Sequence, residues 1–182
     1  MKICSRCIYD ERIAGISFNS EGVCNYCIQT DELNKQYQPG TPEAEAKLFE
    51  IFDKIKKEGT GKKYDCIIGI SGGTDSSYML CKAIEWGLRP LAVHYDNTWN
   101  TAISNENIRK ITKYCNVDLW TYVIDNKEAD DIFRSFFLAC VPEFDASTDL
   151  GFAQVMRDAC AKYKIKYVLE GNSYEANGLW PK

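Results

Sequence analysis

The chain has 182 residues, 45% hydrophobic and 26% charged, which suits one ordinary globular domain with a small accessory element. Its 22 basic and 26 acidic residues give a net charge of −4, so the basic surface that phosphate neutralisation demands of nucleic-acid binders is absent globally. No run reaches ~18 consecutive apolar residues, so no membrane span is coded, and Met1-Lys2-Ile3-Cys4 lacks a signal peptide's apolar run; a cytoplasmic protein is expected.

Residues 1–30 hold four of the nine cysteines as two C-x-x-C pairs, Cys4/Cys7 and Cys24/Cys27, 16 residues apart, with Gly15 and Gly22 in turns. Two tight turns that each present two thiolates complete a tetrahedron, so this spacing predicts a structural Cys4 zinc knuckle. So short a segment draws its stability from the metal. A redox dithiol is the alternative, and an iron–sulfur cluster a more remote one. The other cysteines, at 66, 81, 115, 140 and 160, are scattered singly and read as small buried hydrophobes.

After a polar stretch from Asp31 to Gly40, Thr41-Pro42-Glu43 reads as an N-cap, a proline at the first helical position and an acid in the first turn. Ala44, Leu48, Ile51, Phe52 and Ile55 keep helical spacing up to Gly59 or Gly61. The expected organisation is a zinc knuckle over 1–40, a linker helix over 41–60 and a nucleotide domain over 61–182.

From Tyr64 the pattern alternates. The run Cys66 to Ile70 predicts a buried strand, and the next helix packs Leu80, Ala83 and Ile84 and stops at Gly87. A strand over Leu91 to Tyr95 precedes a helix from near Ser104, with Ile108, Ile111 and Cys115 on its apolar face. A third strand spans Leu119 to Ile124, and a third helix carries Ile132, Phe133, Phe136 and Phe137. Thr148 is read as the cap of a fourth helix that turns Phe152, Val155, Met156, Ala159 and Tyr163 inward. Tyr167 to Glu170 is the fourth strand.

Strand–helix alternation predicts an α/β fold, a doubly wound parallel sheet with helices on both faces. Ligands bind such sheets beyond the carboxyl ends of the strands. The candidate positions are therefore Ser71 to Ser77, Asp96 to Trp99, Asp125 and Asn126, and Gly171, Asn172 and Ser173. His94, the only histidine, lies within a strand and reads as a packed residue.

Ser71-Gly72-Gly73-Thr74-Asp75-Ser76-Ser77 follows a buried strand and opens a helix. Two glycines let the backbone turn several N–H groups into one concavity, and the helix start adds unpaired N–H groups and partial positive charge. Ser71, Ser76 and Ser77 add hydroxyls. An anion the size of pyrophosphate is the expected occupant; a bare strand-to-helix turn is the alternative. The loop has neither the Lys-Ser/Thr ending of the G-x-x-x-x-G-K-[ST] loop nor the G-x-G-x-x-G of dinucleotide folds.

The loop resembles the SGGxDS signature of the ATP pyrophosphatase (PP-loop) superfamily, whose domains are adenine nucleotide alpha hydrolase-like. That resemblance implies cleavage of ATP between its α- and β-phosphates, giving AMP and pyrophosphate through an adenylated substrate. It implies that Ser71, Gly72, Gly73 and Ser76 hold the pyrophosphate, with Thr74 and Ser77 beside it. Asp75 is placed near Mg²⁺ and, with Ser76, in the catalytic step. Thr74 stands where the superfamily often has lysine, so Mg²⁺ or another basic residue must compensate. Asp96 and Asn97 fall where the superfamily recognises adenosine. Gly171 and Asn172 complete the expected ATP site.

A Cys4 knuckle, a linker helix and SGGTDS in that order resemble the N-acetyl sugar amidotransferase family. Supporting segments are Cys4-Ser-Arg-Cys7-Ile8-Tyr9, Phe18-Asn-Ser-Glu-Gly-Val-Cys24, Val141-Pro-Glu-Phe-Asp-Ala-Ser-Thr-Asp149 and Glu170-Gly-Asn-Ser173, with Glu175 and Gly178. The resemblance implies an enzyme that makes acetamidino sugars of bacterial surface glycans from an N-acetyl sugar or sugar nucleotide. ATP would adenylate the acetamide oxygen and ammonia would displace AMP. A separate glutaminase subunit is implied, since a glutaminase triad needs a cysteine with a partner histidine. Asp149 and Ser173 are the candidate substrate contacts. The resemblance also implies further chain beyond residue 182, with a fifth strand and the residues that choose the sugar. The alternatives are a tRNA sulfurtransferase, for which Cys140 would have to be catalytic rather than buried, and a non-catalytic nucleotide-binding fragment.

Overall fold

The computed structural model describes residues 1–143, 145–172 and 174. They form two compact units, residues 1–51 with Asn172 and Tyr174, and residues 52–171.

The first unit begins with two tight turns, closed where Ile3 bridges Asp10 and Phe18 bridges Cys24. Gly22 takes φ 79° in the second turn, a conformation that favours glycine. Helix α1 (Asn25–Tyr37) starts at Cys24, whose Sγ accepts the Cys27 N–H at 3.5 Å. This helix is absent from the sequence-based expectations. None of its residues is buried, so it carries no apolar stripe for periodicity to reveal. Helix α2 (Pro42–Glu58) begins with Thr41 Oγ1 accepting the Ala44 N–H at 3.3 Å. The division between the units falls within it, after Ile51.

The second unit contains β1 (Cys66–Gly69), α3 (Thr74–Glu85), β2 (Pro90–Asp96), α4 (Ala102–Tyr114) and β3 (Leu119–Val123). It continues with α5 (Asn126–Leu138), α6 (Ala146–Tyr163) and β4 (Tyr167–Leu169). The four strands make a parallel sheet in the order β3-β2-β1-β4. Strand order reverses at β1, which opens a crevice at its carboxyl end.

Strand alternation sends Ile68, Ile70 and Ala92 to one face, against Phe52 and Ile55 of α2, Leu80 and Ala83 of α3, and Ile108 of α4. Ile67, Leu91 and Val93 go to the other, against Val155, Met156 and Ala159 of α6. Because β1 is central and covered on both sides, it reads as an unbroken apolar run. Fully burying a side chain such as Ile67 or Ile68 contributes roughly 2 kcal/mol. At the opposite end of the sheet the Asp65 carboxylate is buried, accepting the Arg89 N–H at 2.9 Å and its Nε–H at 3.3 Å. Arg89 also donates to the carbonyls of Lys62 and Gly59, which ties β1 and β2 to the end of α2.

Two local expectations are corrected. Thr148 does not cap α6: the helix begins at Ala146, and the Thr148 hydroxyl accepts the Asn97 Nδ2–H at 3.0 Å. Cys140 is exposed, not buried. It stands just past α5 at φ 52°, with its N–H on the Phe137 carbonyl and the Val141 N–H on the Phe136 carbonyl. A residue in that left-handed turn closes the helix end and lies outside the apolar stripe. Cys66 is buried, and Cys81 and Cys115 pack against one another with Sγ atoms 3.6 Å apart between α3 and α4. Burial, with Cys81 beside it, pushes the Cys115 thiol up to about 11, as suits an apolar filler.

Candidate functional site

The loop after β1 is built from its own serines. Ser71 Oγ and Ser76 Oγ lie 3.3 Å apart, and Ser76 Oγ also accepts the Ser71 N–H at 3.3 Å. Ser71 Oγ accepts the Gly73 N–H at 3.4 Å, while Ser77 Oγ donates to the Gly73 carbonyl at 2.7 Å. These bonds fold the loop back onto the first turn of α3, so the residues from Ser71 to Ser77 form one compact cradle. The two glycines serve different ends. Gly72 is buried at φ 80°, and a Cβ there would run into the backbone of Ser104 on α4. Gly73 is exposed, at ordinary φ, and a Cβ there would meet only Ser71 Oγ, at 3.4 Å. Space above Gly73 is therefore open. It is capped by no side chain, so the N–H groups at the start of α3 face that space as donors for an anion.

Thr74 and Asp75, in the first turn of α3, are exposed. The end of β4 reaches the same turn, since a Cβ on Gly171 would lie 3.7 Å from the Asp75 carbonyl oxygen. Asp96 and Asn97 close β2. Asp96 Oδ1 accepts the Thr98 N–H and the Asn100 Nδ2–H, both at 2.9 Å. Asn97 Oδ1 accepts the Trp99 N–H at 3.1 Å, and the hydrogen bond that Asn97 Nδ2 donates to Thr148 Oγ1 draws the start of α6 to the end of β2. Asp149, exposed in the first turn of α6, thereby sits at the carboxyl edge of the sheet. The structure thus brings Ser71–Ser77 and Gly171 together, and places Asp96, Asn97 and Asp149 together along the same edge. Asn172 falls in the first unit, and Ser173 lies outside the described residues. Asp125 is occupied as the N-cap of α5, accepting the Lys127 and Glu128 N–H groups.

Sequence reasoning missed Asn100 and Asn107. Asn107 Nδ2 donates to the Gly72 carbonyl at 3.1 Å from the second turn of α4. A polar residue on a helix carries no periodic signal, so only proximity reveals it.

In the first unit the four sulfur atoms of Cys4, Cys7, Cys24 and Cys27 lie within 4.8 Å of one another. Two of the edges are 3.9 Å, Cys4 to Cys27, and 3.7 Å, Cys7 to Cys24. A zinc tetrahedron with Zn–S bonds of ~2.3 Å has S···S edges of about 3.8 Å, so the donor set fits the ion. The local chemistry fits too. Burial would raise the Cys4 thiol, but N–H groups of Arg6 and Cys24 at its sulfur bring it down to about 6. Burial and the neighbouring sulfurs push Cys27 up. Four thiolates in this volume need a cation to coexist.

The second unit is thus a parallel α/β sheet with a serine-glycine loop at the carboxyl end of its central strand, a fold found in other solved structures. The NMN synthetase of Francisella tularensis shares it, with a TM-score of 0.51 at 16% identity over 74% of this chain and 56% of that one. The NH3-dependent NAD synthetase of Campylobacter jejuni superposes at a TM-score of 0.48 and 16% identity, over 72% and 58% of the two chains. An uncharacterized protein of Methanocaldococcus jannaschii is 32% identical over 133 residues, 72% of this chain and 45% of its own length. The chain thus spans about half the length of the relatives it matches. No family model matches.

No helix among the described residues is long and apolar enough to cross a membrane.

Proposed function

We propose that this chain carries the nucleotide-binding part of an ATP-dependent, AMP-forming amidating enzyme of the PP-loop superfamily, acting on the N-acetyl group of a sugar. The observation that carries the reading is the open cradle over Gly73, ringed by Ser71, Ser76 and Ser77 at the start of α3. The fold held in common with an NMN synthetase supports a synthetase reading. The loop sequence and the order of knuckle, helix and loop support the narrower choice.

In this reading the β- and γ-phosphates of ATP rest on the uncapped N–H groups at the start of α3, Thr74 first, and on the Ser71 and Ser76 hydroxyls, while Gly72, Gly73 and Ser77 shape the loop, Ser77 Oγ holding the Gly73 carbonyl. Asp75, in the first turn of α3, holds Mg²⁺ against them. Adenosine reaches towards Asp96 and Asn97, and Gly171 borders the phosphates beside Asp75. The acetamide oxygen attacks the α-phosphorus, and the bond to pyrophosphate breaks. An amide oxygen leaves poorly, and adenylation converts it into a good leaving group. Ammonia then adds to the activated carbon, AMP departs with the oxygen, and loss of a proton leaves an amidine. Asp149 and Ser173 are the proposed sugar contacts, and a glutaminase subunit is the proposed ammonia source. Zinc on Cys4, Cys7, Cys24 and Cys27 is structural, since four thiolates leave it no open position. We assign the knuckle to residues 1–40, the linker helix to 41–60 and the nucleotide domain to residue 61 onward.

The test is to incubate the protein with ATP, Mg²⁺, an ammonium salt and a panel of nucleotide-activated N-acetyl sugars bearing heavy oxygen in the acetamido group. Labelled AMP and pyrophosphate, formed only with one sugar present, are expected. ADP, or AMP without the label, would remove the amidating reading.

A further inference from the structure

His94 is 5% exposed, yet both of its ring nitrogens have partners. Nδ1 lies 2.8 Å from the Ile70 carbonyl oxygen. A carbonyl only accepts, so Nδ1 carries the proton, and the Asn100 amide nitrogen opposite Nε2, itself a donor to Asp96, makes Nε2 the acceptor. Asn100 Nδ2 stands 3.3 Å from Nε2 and 2.9 Å from Asp96 Oδ1. An amide nitrogen has two hydrogens, one for each. The Thr98 N–H, on a residue held at φ 69°, is the second donor to Asp96 Oδ1. Among the described residues, the hydrogen bonds to this carboxylate fall on Oδ1, which leaves Oδ2 as an acceptor for a ligand.

Ile70 is the residue immediately before the serine-glycine loop, and Asp96 closes the neighbouring strand. A continuous line of bonds therefore runs from the base of the cradle through His94 and Asn100 to Asp96. None of its members lies in the loop itself, and the mechanism above assigns no role to His94 or Asn100.

We propose that Asn100 is a positioning residue: it locks His94 as the neutral Nδ1–H tautomer and aims the Asp96 carboxylate at the hydroxyl or amino donors of a bound nucleoside. This rests on the reading that the cradle binds ATP. The geometry predicts a division of labour. Inorganic pyrophosphate touches the loop alone, whereas ATP also needs Asp96 held in place. Losing Asn100 then weakens ATP and spares pyrophosphate. A purely structural role for Asn100 would weaken both together.

His94 is the only histidine in the chain, so nitrogen NMR of the imidazole reports it without assignment. In the wild type the spectrum is expected to show a neutral ring protonated on Nδ1. Asn100→Leu should raise the Kd of Mg·ATP about tenfold, the loss of one oriented hydrogen-bond partner, while leaving the Kd of Mg·pyrophosphate unchanged within about twofold. Asn100→Asp replaces the donor with carboxylate oxygens beside Asp96 Oδ1, so the Asp96 carboxylate loses its hold and ATP should again weaken. An Nε2–H tautomer in the wild type, equal losses of ATP and pyrophosphate in a folded Asn100→Leu, or unchanged ATP binding in both variants would overturn the proposal. Failure of the wild type to bind either probe would instead overturn the nucleotide reading, and the positioning role with it. The tautomer would then survive only as a fact of packing.

Discussion

Gly72 lies against Ser104: a Cβ built on the glycine would stand 2.9 Å from both the Cα and the carbonyl carbon of Ser104, with Gly72 at φ 80°. The cradle is thus closed from behind by the first turn of α4, and Asn107 fastens the same contact through the Gly72 carbonyl. Gly73, one residue on, faces open space. The two adjacent glycines thus differ: Gly72 allows a close approach of backbones, and Gly73 leaves the space above the loop open.

Gly72→Ala is therefore expected to destabilise the protein by about 2 kcal/mol or more, from the left-handed backbone and the clash together. Gly73→Ala should leave the melting temperature within a degree or two and weaken pyrophosphate, and Gly73→Val should abolish its binding by filling the space above the loop. Thermal melts beside isothermal titration with pyrophosphate separate the two. A stable Gly72→Ala, or a Gly73→Val that binds normally, would contradict this account of the loop.

The knuckle should hold one zinc per chain, measurable by elemental analysis of protein purified without chelator. Cys24→Ser removes a ligand and also the sulfur that caps α1, so it should unfold residues 1–30. Pyrophosphate binding at the cradle is expected to survive. Zinc-free protein with an ordered knuckle, or a Cys4–Cys7 disulfide, would refute the site.

Asp75→Asn should reduce the AMP-forming rate by at least tenfold more than it weakens ATP, if the carboxylate holds magnesium chiefly in the transition state. Comparable losses in kcat and in ATP affinity would instead make Asp75 a ground-state binding residue.

Removing the Arg89 side chain tests the frame on which the site stands. Asp65 is 4% exposed and receives both an N–H and the Nε–H of Arg89. Arg89→Met leaves that buried carboxylate with the backbone donor alone. A loss of about 2 kcal/mol is expected, below the usual cost of breaking a buried pair because Arg89 itself is half exposed. Urea denaturation checks it; a change under about half a kcal/mol would mean water replaces the guanidinium.

Most of the sheet was legible because its signals are local. Cys66 to Gly69 is an apolar run bounded by a glycine loop, and the end of α3 announces itself at Gly87, whose N–H and that of Leu88 return to the carbonyls of Ile84 and Ala83. The paired C-x-x-C spacing likewise puts four sulfurs in reach of one ion, as the geometry around Cys4 and Cys24 has them. Helix α1 escaped because it buries no residue, and Cys140 was misjudged because its type suggests burial while its place past a helix end demands a turn. The contacts that shape the site were beyond any local pattern. His94 meets the Ile70 carbonyl across 24 residues, and Asn97 meets Thr148 across 51. Spacing and periodicity report what neighbouring residues do to the chain. Which polar side chain completes which hydrogen bond is settled only when strand order sets β1 beside β2 and brings α4 and α6 to their shared carboxyl edge.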